Sequence, residues 1–276
     1  MALDTISILD GNEFVVSNHQ GDLDATPAAH HGLFLDDTRF LSRWVLTING
    51  QRPILLSIDD TSYYRVQHFL ALATGEVYID SHLTVVRQRA VGGGFHEILN
   101  LANHGQEPVD LEIRIEAAAD FADLFEVKDK LSKKGQLYSS VENGEALTLG
   151  YCRDQYRRET RITSSVPAEL NETGLTYRIR LDPLRQDTNS IWTTHIDVIA
   201  VKDPDSTPAK ATSRLGNEGV RPELAENLKR WVDGAPKVVA SWQPLEHIYR
   251  RSLVDLAALR FRKPILLGAM PAAGLP

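Results

Sequence analysis

The chain has 276 residues, and its 30 Lys+Arg against 37 Asp+Glu give a formal net charge of −7, which sets nucleic acid aside as a partner for the molecule as a whole. With 42 % hydrophobic and 24 % charged residues it is composed like a globular protein, and its length accommodates one large domain or two ordinary ones. Cys152 is the single cysteine, residues 1–10 lack a basic region and a long apolar run, and no stretch reaches the roughly 20 apolar residues of a membrane helix, so a soluble, cytoplasmic protein without a membrane partner is expected.

From residue 14 to about 201 the hydrophobic pattern repeats every two residues. Trp44, Leu46 and Ile48 alternate with Arg43, Thr47 and Asn49. Asn49-Gly50 ahead of 53–58 suits a type I′ hairpin, because both central residues of that turn need positive φ. Gly92-Gly93-Gly94 separates the apolar runs 82–91 and 95–103 in the same way, and 103–108 turns the chain into 109–117, where Val109, Leu111, Ile113 and Ile115 alternate with Asp110, Glu112, Arg114 and Glu116. Three such strands joined by short turns predict a meander. The alternation returns at Leu175, Tyr177, Ile179 and Leu181 and again at Ile196, Val198 and Ala200, so the prediction is two packed antiparallel sheets. The four lysines of 128–135 mark an exposed loop tip.

Past 201 the character changes. Residues 202–220 are rich in Asp, Pro, Ser, Thr and Gly and read as a linker. Pro222 suits a first helical turn, Leu224, Leu228 and Trp231 share a face, and Gly234 ends that helix. A second helix fits 244–260, with Leu245, Ile248, Leu256 and Leu259 at helical spacing and Pro264 beyond it. The domain expectation is a sandwich at 1–201, a linker and helix at 202–235, and a further unit at 236–276. Eight of the twelve residues 265–276 are apolar. Such a terminus either is cut or folds back into a groove of its own domain.

Signatures of chemistry are sparse. Phosphate-cradling and dinucleotide glycine motifs are absent, the nine histidines lack metal-ligand spacing, and no cofactor or metal is expected. Glycoside hydrolysis needs two carboxyl groups roughly 5–9.5 Å apart, and Asp36-Asp37 and Asp59-Asp60 are adjacent pairs that seldom arrange so. Asp37 and Arg39, two apart in an extended segment, project to one side and can pair or clamp a hydroxylated ligand. Trp44, Tyr63, Tyr64 and Phe69 suit either a sugar platform or core packing. Arg153, Arg157, Arg158 and Arg161 read as the water face of a strand.

Four strings then carry a resemblance. Gly-Leu-Phe-Leu-Asp-Asp-Thr-Arg-Phe-Leu-Ser-Arg-Trp at 32–44, Gly-Gly-Gly-Phe-His-Glu at 92–97, Asn-His-Gly with Glu-Pro-Val at 103–109, and Ala-Asp-Phe-Ala-Asp-Leu-Phe-Glu-Val at 119–127 are similar to the N-terminal domain of bacterial glycogen-debranching, amylo-α-1,6-glucosidase-like proteins. The resemblance spans about residues 5–235. It implies a large antiparallel β-sandwich (supersandwich) ahead of an (α/α)6 barrel that performs the glycosidic chemistry. Residues 272–276 resemble the approach to that barrel, whose remainder does not follow, so the expectation is a truncated, non-catalytic module. The helix at 244–260 would be the barrel's first. The implied partners are an (α/α)6 catalytic domain, in cis or in trans, and α-glucan. The residues expected to touch barrel or glucan are Asp36, Asp37, Arg39 and Trp44, with no catalytic residue. The competing readings are a stand-alone carbohydrate-binding or interaction sandwich and a small hydrolase using Asp36, Asp37 or Asp59.

Overall fold

The computed structural model describes residues 5–26, 29–72, 82–129, 131, 133–184, 190–204, 222–262 and 269–271. The chain opens with β1 (Ile6–Asp10), β2 (Glu13–Ser17), β3 (Leu23–Asp24), β4 (Gly32–Leu35), β5 (Thr38–Leu41) and β6 (Arg43–Ile48). Next come β7 (Ile54–Asp59), β8 (Arg65–Leu72), β9 (Leu83–Val91), β10 (Phe95–Asn103), β11 (Val109–Ala118) and a short helix, α1 (Leu124–Asp129). Then follow β12 (Gln136–Glu142), β13 (Ala146–Arg153), β14 (Tyr156–Ser164), β15 (Glu169–Asn171), β16 (Gly174–Leu181) and β17 (Ile191–Val201). Two helices, α2 (Pro222–Asp233) and α3 (Gln243–Ala258), precede a small hairpin of β18 (Arg260–Arg262) and β19 (Ala269–Pro271).

Among the described residues every ladder is antiparallel. An eight-stranded sheet runs β12-β13-β14-β17-β10-β9-β8-β7, and a five-stranded one runs β15-β16-β11-β6-β3. Strands β1, β2, β4 and β5 form a third sheet. The period-two pattern decides which side chains meet. In the five-stranded sheet Ile48, Ile113 and Tyr177 form one inward rung and Leu46, Ile115 and Leu175 the next, all at most 2 % exposed. From the eight-stranded sheet Val85, Leu99, Leu101, Ile162, Ile196 and Val198 join them in one hydrophobic cluster. Each side chain of that size contributes roughly 1.5–3 kcal/mol when fully buried, and together they hold the two sheets face to face.

Two expectations about connectivity are corrected. Asn49 and Gly50 take φ of 49° and 76°, and Ile48 bridges to Gln51, so the type I′ turn is present. It ends there: Pro53 is buried and has no amide hydrogen for a ladder, and the chain passes to β7 in the other sheet. The three-strand meander also breaks. β9 and β10 form the hairpin over Gly92–Gly94, but β11 crosses to the five-stranded sheet. Asn103 anchors that crossing, its amide donating to the Glu107 carbonyl (2.9 Å) and to Leu181 at the end of β16 (3.3 Å). Alternation says which face of a strand is buried, not against which sheet.

Both helices form where their spacing predicts. The Trp231 indole donates to the Leu253 carbonyl at 2.8 Å and ties α2 to α3, and Arg251 donates to the Asp60 carbonyl at 2.8 Å and ties α3 to the sandwich. Val254 and Ala257 are buried, whereas Leu245, Ile248 and Leu256 are 41 %, 57 % and 50 % exposed. No described helix is long and apolar enough to cross a membrane. Most of the expected linker, 205–221, and most of the apolar segment 265–276 lie outside the described residues.

Candidate functional site

The eight-stranded sheet carries charge where its pattern calls for apolar residues. Val85, Arg87, Arg89 and Val91 share the inward phase of β9, and Glu97 lies inward on β10 directly opposite Arg89. Arg87 donates from Nε to Glu97 (2.5 Å) and from Nη1 to Asp22 (2.7 Å). Arg89 reaches the second Glu97 oxygen at 3.1 Å, and the Trp44 indole donates to that oxygen at 2.5 Å. All four charged side chains are at most 2 % exposed. Burial alone would drive Glu97 towards its neutral acid, but the two guanidinium charges and the hydrogen bonds hold its pKa at about 2.

His68 faces Arg87 across the β8–β9 ladder. Burial, with Arg89 and Arg87 nearby, drops its pKa to about 3 and keeps it neutral. Burial and the Arg87 charge also bring Arg89 down to about 10. The segment over this cluster needs glycine at 21: φ is +83°, and a Cβ there would lie 3.0 Å from the His68 ring and 3.2 Å from the Arg89 guanidinium. With two positive and two negative charges sealed from solvent, the cluster is a clasp that joins β6, β9, β10 and the turn before β3. It offers no surface to a ligand.

An accessible surface lies around α1. The carbonyl of Asp37 accepts from the Leu124 amide (2.9 Å), and the Arg39 amide donates to Ala122 (2.8 Å), so β5 holds the chain that enters the helix. Arg39 clamps Asp120 through two hydrogen bonds, 3.0 and 2.5 Å, and donates to the His31 carbonyl. Phe121, at φ +53°, turns its ring into the core against Phe40. Asp123 and Glu126 then cap α1 reciprocally, each carboxylate accepting the other's amide at 2.8 Å. The expected loop tip at 128–135 therefore starts inside a helix, and Lys133 pairs with Glu126 at 2.7 Å.

Two depressions flank α1 and share Glu126. One, of about 380 Å³, is bounded by Asp24, Arg39, Arg43 and Asp120. The other, of about 420 Å³, lies between α1 and the β13–β14 turn and is lined by Asp123, Lys133, Arg153, Gln155 and Tyr156.

Of the residues singled out from the sequence, Asp36, Asp37 and Arg39 lie in or beside the strand pair that carries α1. Asp36 sits in the β4–β5 turn at φ +51°, where its ion pair with Lys202, joined by a 2.7 Å bond from Asn12, holds its carboxyl below the usual range. Arg39 pairs with Asp120 rather than with Asp37, because the turn at 36–37 interrupts the extended geometry assumed for that pair. Trp44 is elsewhere: it is 0 % exposed, edge-on to Phe95 at 6.1 Å. Tyr64 is likewise buried, so the four aromatics make no common platform. Arg157 and Arg161 pair with Glu159 and Glu142, as a solvated strand face would. The clasp was missed from the sequence, although two arginines in the buried phase of an apolar alternation are its signature. Tyr156 carries no such signal. Among the described residues no group of three or more His, Cys, Asp or Glu could hold a metal ion.

Fold and site together define a mainly β protein of large antiparallel sheets, with a short capped helix at one margin and two helices behind. Residues 8–191 match the family model described as the N-terminal domain of (some) glycogen debranching enzymes, and the chain belongs to that family. Among solved structures it is similar to the Slr1438 protein from Synechocystis sp. PCC 6803, with a TM-score of 0.44 and 6 % identity over 72 % of this chain and 96 % of that one. It is also similar to a galactose mutarotase-like protein from Clostridium acetobutylicum, with a TM-score of 0.36 and 6 % identity over 72 % and 95 %. No curated protein matches the chain.

Proposed function

We propose that the chain is a cytoplasmic, non-catalytic N-terminal module of a debranching-type glycoside hydrolase, packing against an (α/α)6 catalytic barrel and shaping the mouth of its active site. The observation that carries this reading is the family match over residues 8–191. The exposed row Leu245, Ile248 and Leu256 on α3 supports it, because apolar area left in water is unfavourable by roughly 25 cal/mol per Å². On this reading α3 is the first helix of the barrel and meets its neighbours through that row. The carboxylates beside α1 already have partners, Asp36 in Lys202, Asp120 in Arg39 and Glu126 in Lys133, which suits a supporting surface better than an acid/base pair.

The test mixes the purified chain with a debranching barrel produced as a separate chain. The expected result is co-elution and faster glucose release from a branched dextrin than the barrel gives alone, with Ile248→Ser weakening both. Glucose release by the chain alone, or no association, overturns the reading.

A further inference from the structure

The eight-stranded sheet ends in β7 on one side and β12 on the other, and among the described residues neither has a strand beyond it. An open edge presents unpaired backbone amides and carbonyls to any extended chain, so folded proteins guard such edges with bulges, proline, charge or a covering element. β7 is guarded. Its register shifts between Leu55 and Ser57, Pro53 precedes it, and just past its end the Asp60 carbonyl accepts from Arg251 of α3. β12 has none of these devices. Its seven residues pair with β13 from Gln136 opposite Cys152 to Glu142 opposite Ala146 without a bulge. It contains no proline or lysine, and its one charged side chain, Glu142, is paired with Arg161 at 3.1 Å.

The strand is held to its sheet and apolar where it meets water. The Tyr138 ring packs where a Cβ at Gly150 would lie, and its hydroxyl donates to Glu159 at 2.5 Å. On the opposite face Leu137, Ser139 and Val141 continue the row of Tyr151, Leu149 and Leu147, three buried side chains. That row runs past the margin of the core, leaving Leu137 60 % and Val141 38 % exposed. The edge is also complementary to itself. When two copies of β12 run antiparallel about a two-fold axis at Ser139, Leu137 of each copy stands opposite Val141 of the other. Directly opposite residues of an antiparallel pair share a face, so each exposed apolar side chain gains an apolar neighbour. The same register sets the exposed Lys134 of each copy against the other's hairpin turn, between Glu142 and Glu145, so charge is matched as well.

We propose that the chain forms a two-fold dimer through β12, joining two eight-stranded sheets edge to edge. Because β7 is guarded, each copy has one edge to give, and the assembly closes at two instead of growing into a fibre. One pair of seven-residue strands is a small interface, so the dimer is weak and concentration-dependent. β12 and the end of β7 to which α3 is tied lie at opposite margins of the sheet, so the dimer leaves the apolar row of α3 uncovered.

Sedimentation velocity of the full 276-residue chain, over a series from micromolar to sub-millimolar concentration, tests it. A monomer–dimer equilibrium is expected, weakened about tenfold or more by Leu137→Lys and by Val141→Glu, since either substitution removes both apolar pairs of a symmetric interface. An equimolar mixture of the two variants is expected to recover the dimer, because lysine then meets glutamate at one end while Leu137 meets Val141 at the other. That recovery depends on the register about Ser139 and is read whatever either substitution does to the monomer. The dimer boundary is expected to persist in Ile248→Ser, whose effect falls on association through α3 alone. A chain that stays monomeric throughout, an equilibrium indifferent to both β12 substitutions, or a dimer boundary abolished by Ile248→Ser overturns the proposal, the last assigning the contact to α3. A mixture that fails to recover the dimer, or growth into fibres that bind thioflavin T, overturns the two-fold pairing.

Discussion

Ile113 in β11 and Ile248 in α3 are the same side chain under opposite conditions, 0 % exposed in the sandwich and 57 % exposed on the helix. The sandwich goes further and encloses Arg87, Arg89, Glu97 and Asp22, while α3 leaves leucine and isoleucine in water. Burial is thus set by what stands opposite a residue more than by its own chemistry. In the sandwich the inward face of a strand has a second sheet across from it, and buried charges persist because each has counter-charges in hydrogen-bonding range. The outer row of α3 has nothing across from it among the described residues.

The contrast breaks most sharply at the clasp. Glu97→Ala leaves two guanidinium groups buried without their carboxylate, and a loss of about 3–5 kcal/mol is expected in urea unfolding. A loss below about 1 kcal/mol would mean that water reaches the cluster and that the sandwich is not the sealed region described.

Acid sharpens the same point. His68 is neutral in the fold, with a pKa of about 3, whereas the unfolded chain takes up its proton near the ordinary histidine value of 6.5. Its contribution is therefore complete above that value and declines as pH falls from 6.5 towards 3, by at most about 1.4 kcal/mol per pH unit. Glu97, at about 2 against 4.5, contributes fully above 4.5 and is lost as pH falls from there towards 2. Between pH 6.5 and 4.5 the decline belongs to the buried histidines, foremost His68 and after it His31, whose pKa burial also lowers, and His68→Gln is expected to flatten most of that limb. An unchanged limb would reject the neutral, buried assignment.

The smallest effect is expected on the helix. Ile248→Ser removes an apolar side chain that buries little, so unfolding is expected to change by no more than about 0.5 kcal/mol while self-association in light scattering declines. A loss of about 2 kcal/mol or more, the scale of core truncation, would show that α3 is packed after all.

Particular residues show how far the sequence could be read. Leu111, Ile113 and Ile115 face the core and Asp110 and Glu112 face water, as their alternation says, because a strand has only two faces. The Asp-Arg pair at 37 and 39 was legible as an arginine seeking a carboxylate, but its partner, Asp120, is 81 residues away, a distance no local pattern spans. Helix α1 begins with a readable Asp-x-x-Glu cap, yet six residues are too few for a helical period to stand out. Trp44 could be placed in a strand but not on a side of the protein: its ring looked available to a ligand until the second sheet was set against it.

By itself the sequence determined the strands, their inward faces, both C-terminal helices and the family, because these depend on periodicity and on strings of neighbouring residues. Tertiary structure decided which sheet each strand joined, that Asp22 joins Glu97 in neutralising Arg87 and Arg89 in the interior, and that Arg39 pairs with Asp120. Those outcomes are energies between groups far apart in the chain, and such energies exist only once folding has brought the groups within a few ångströms.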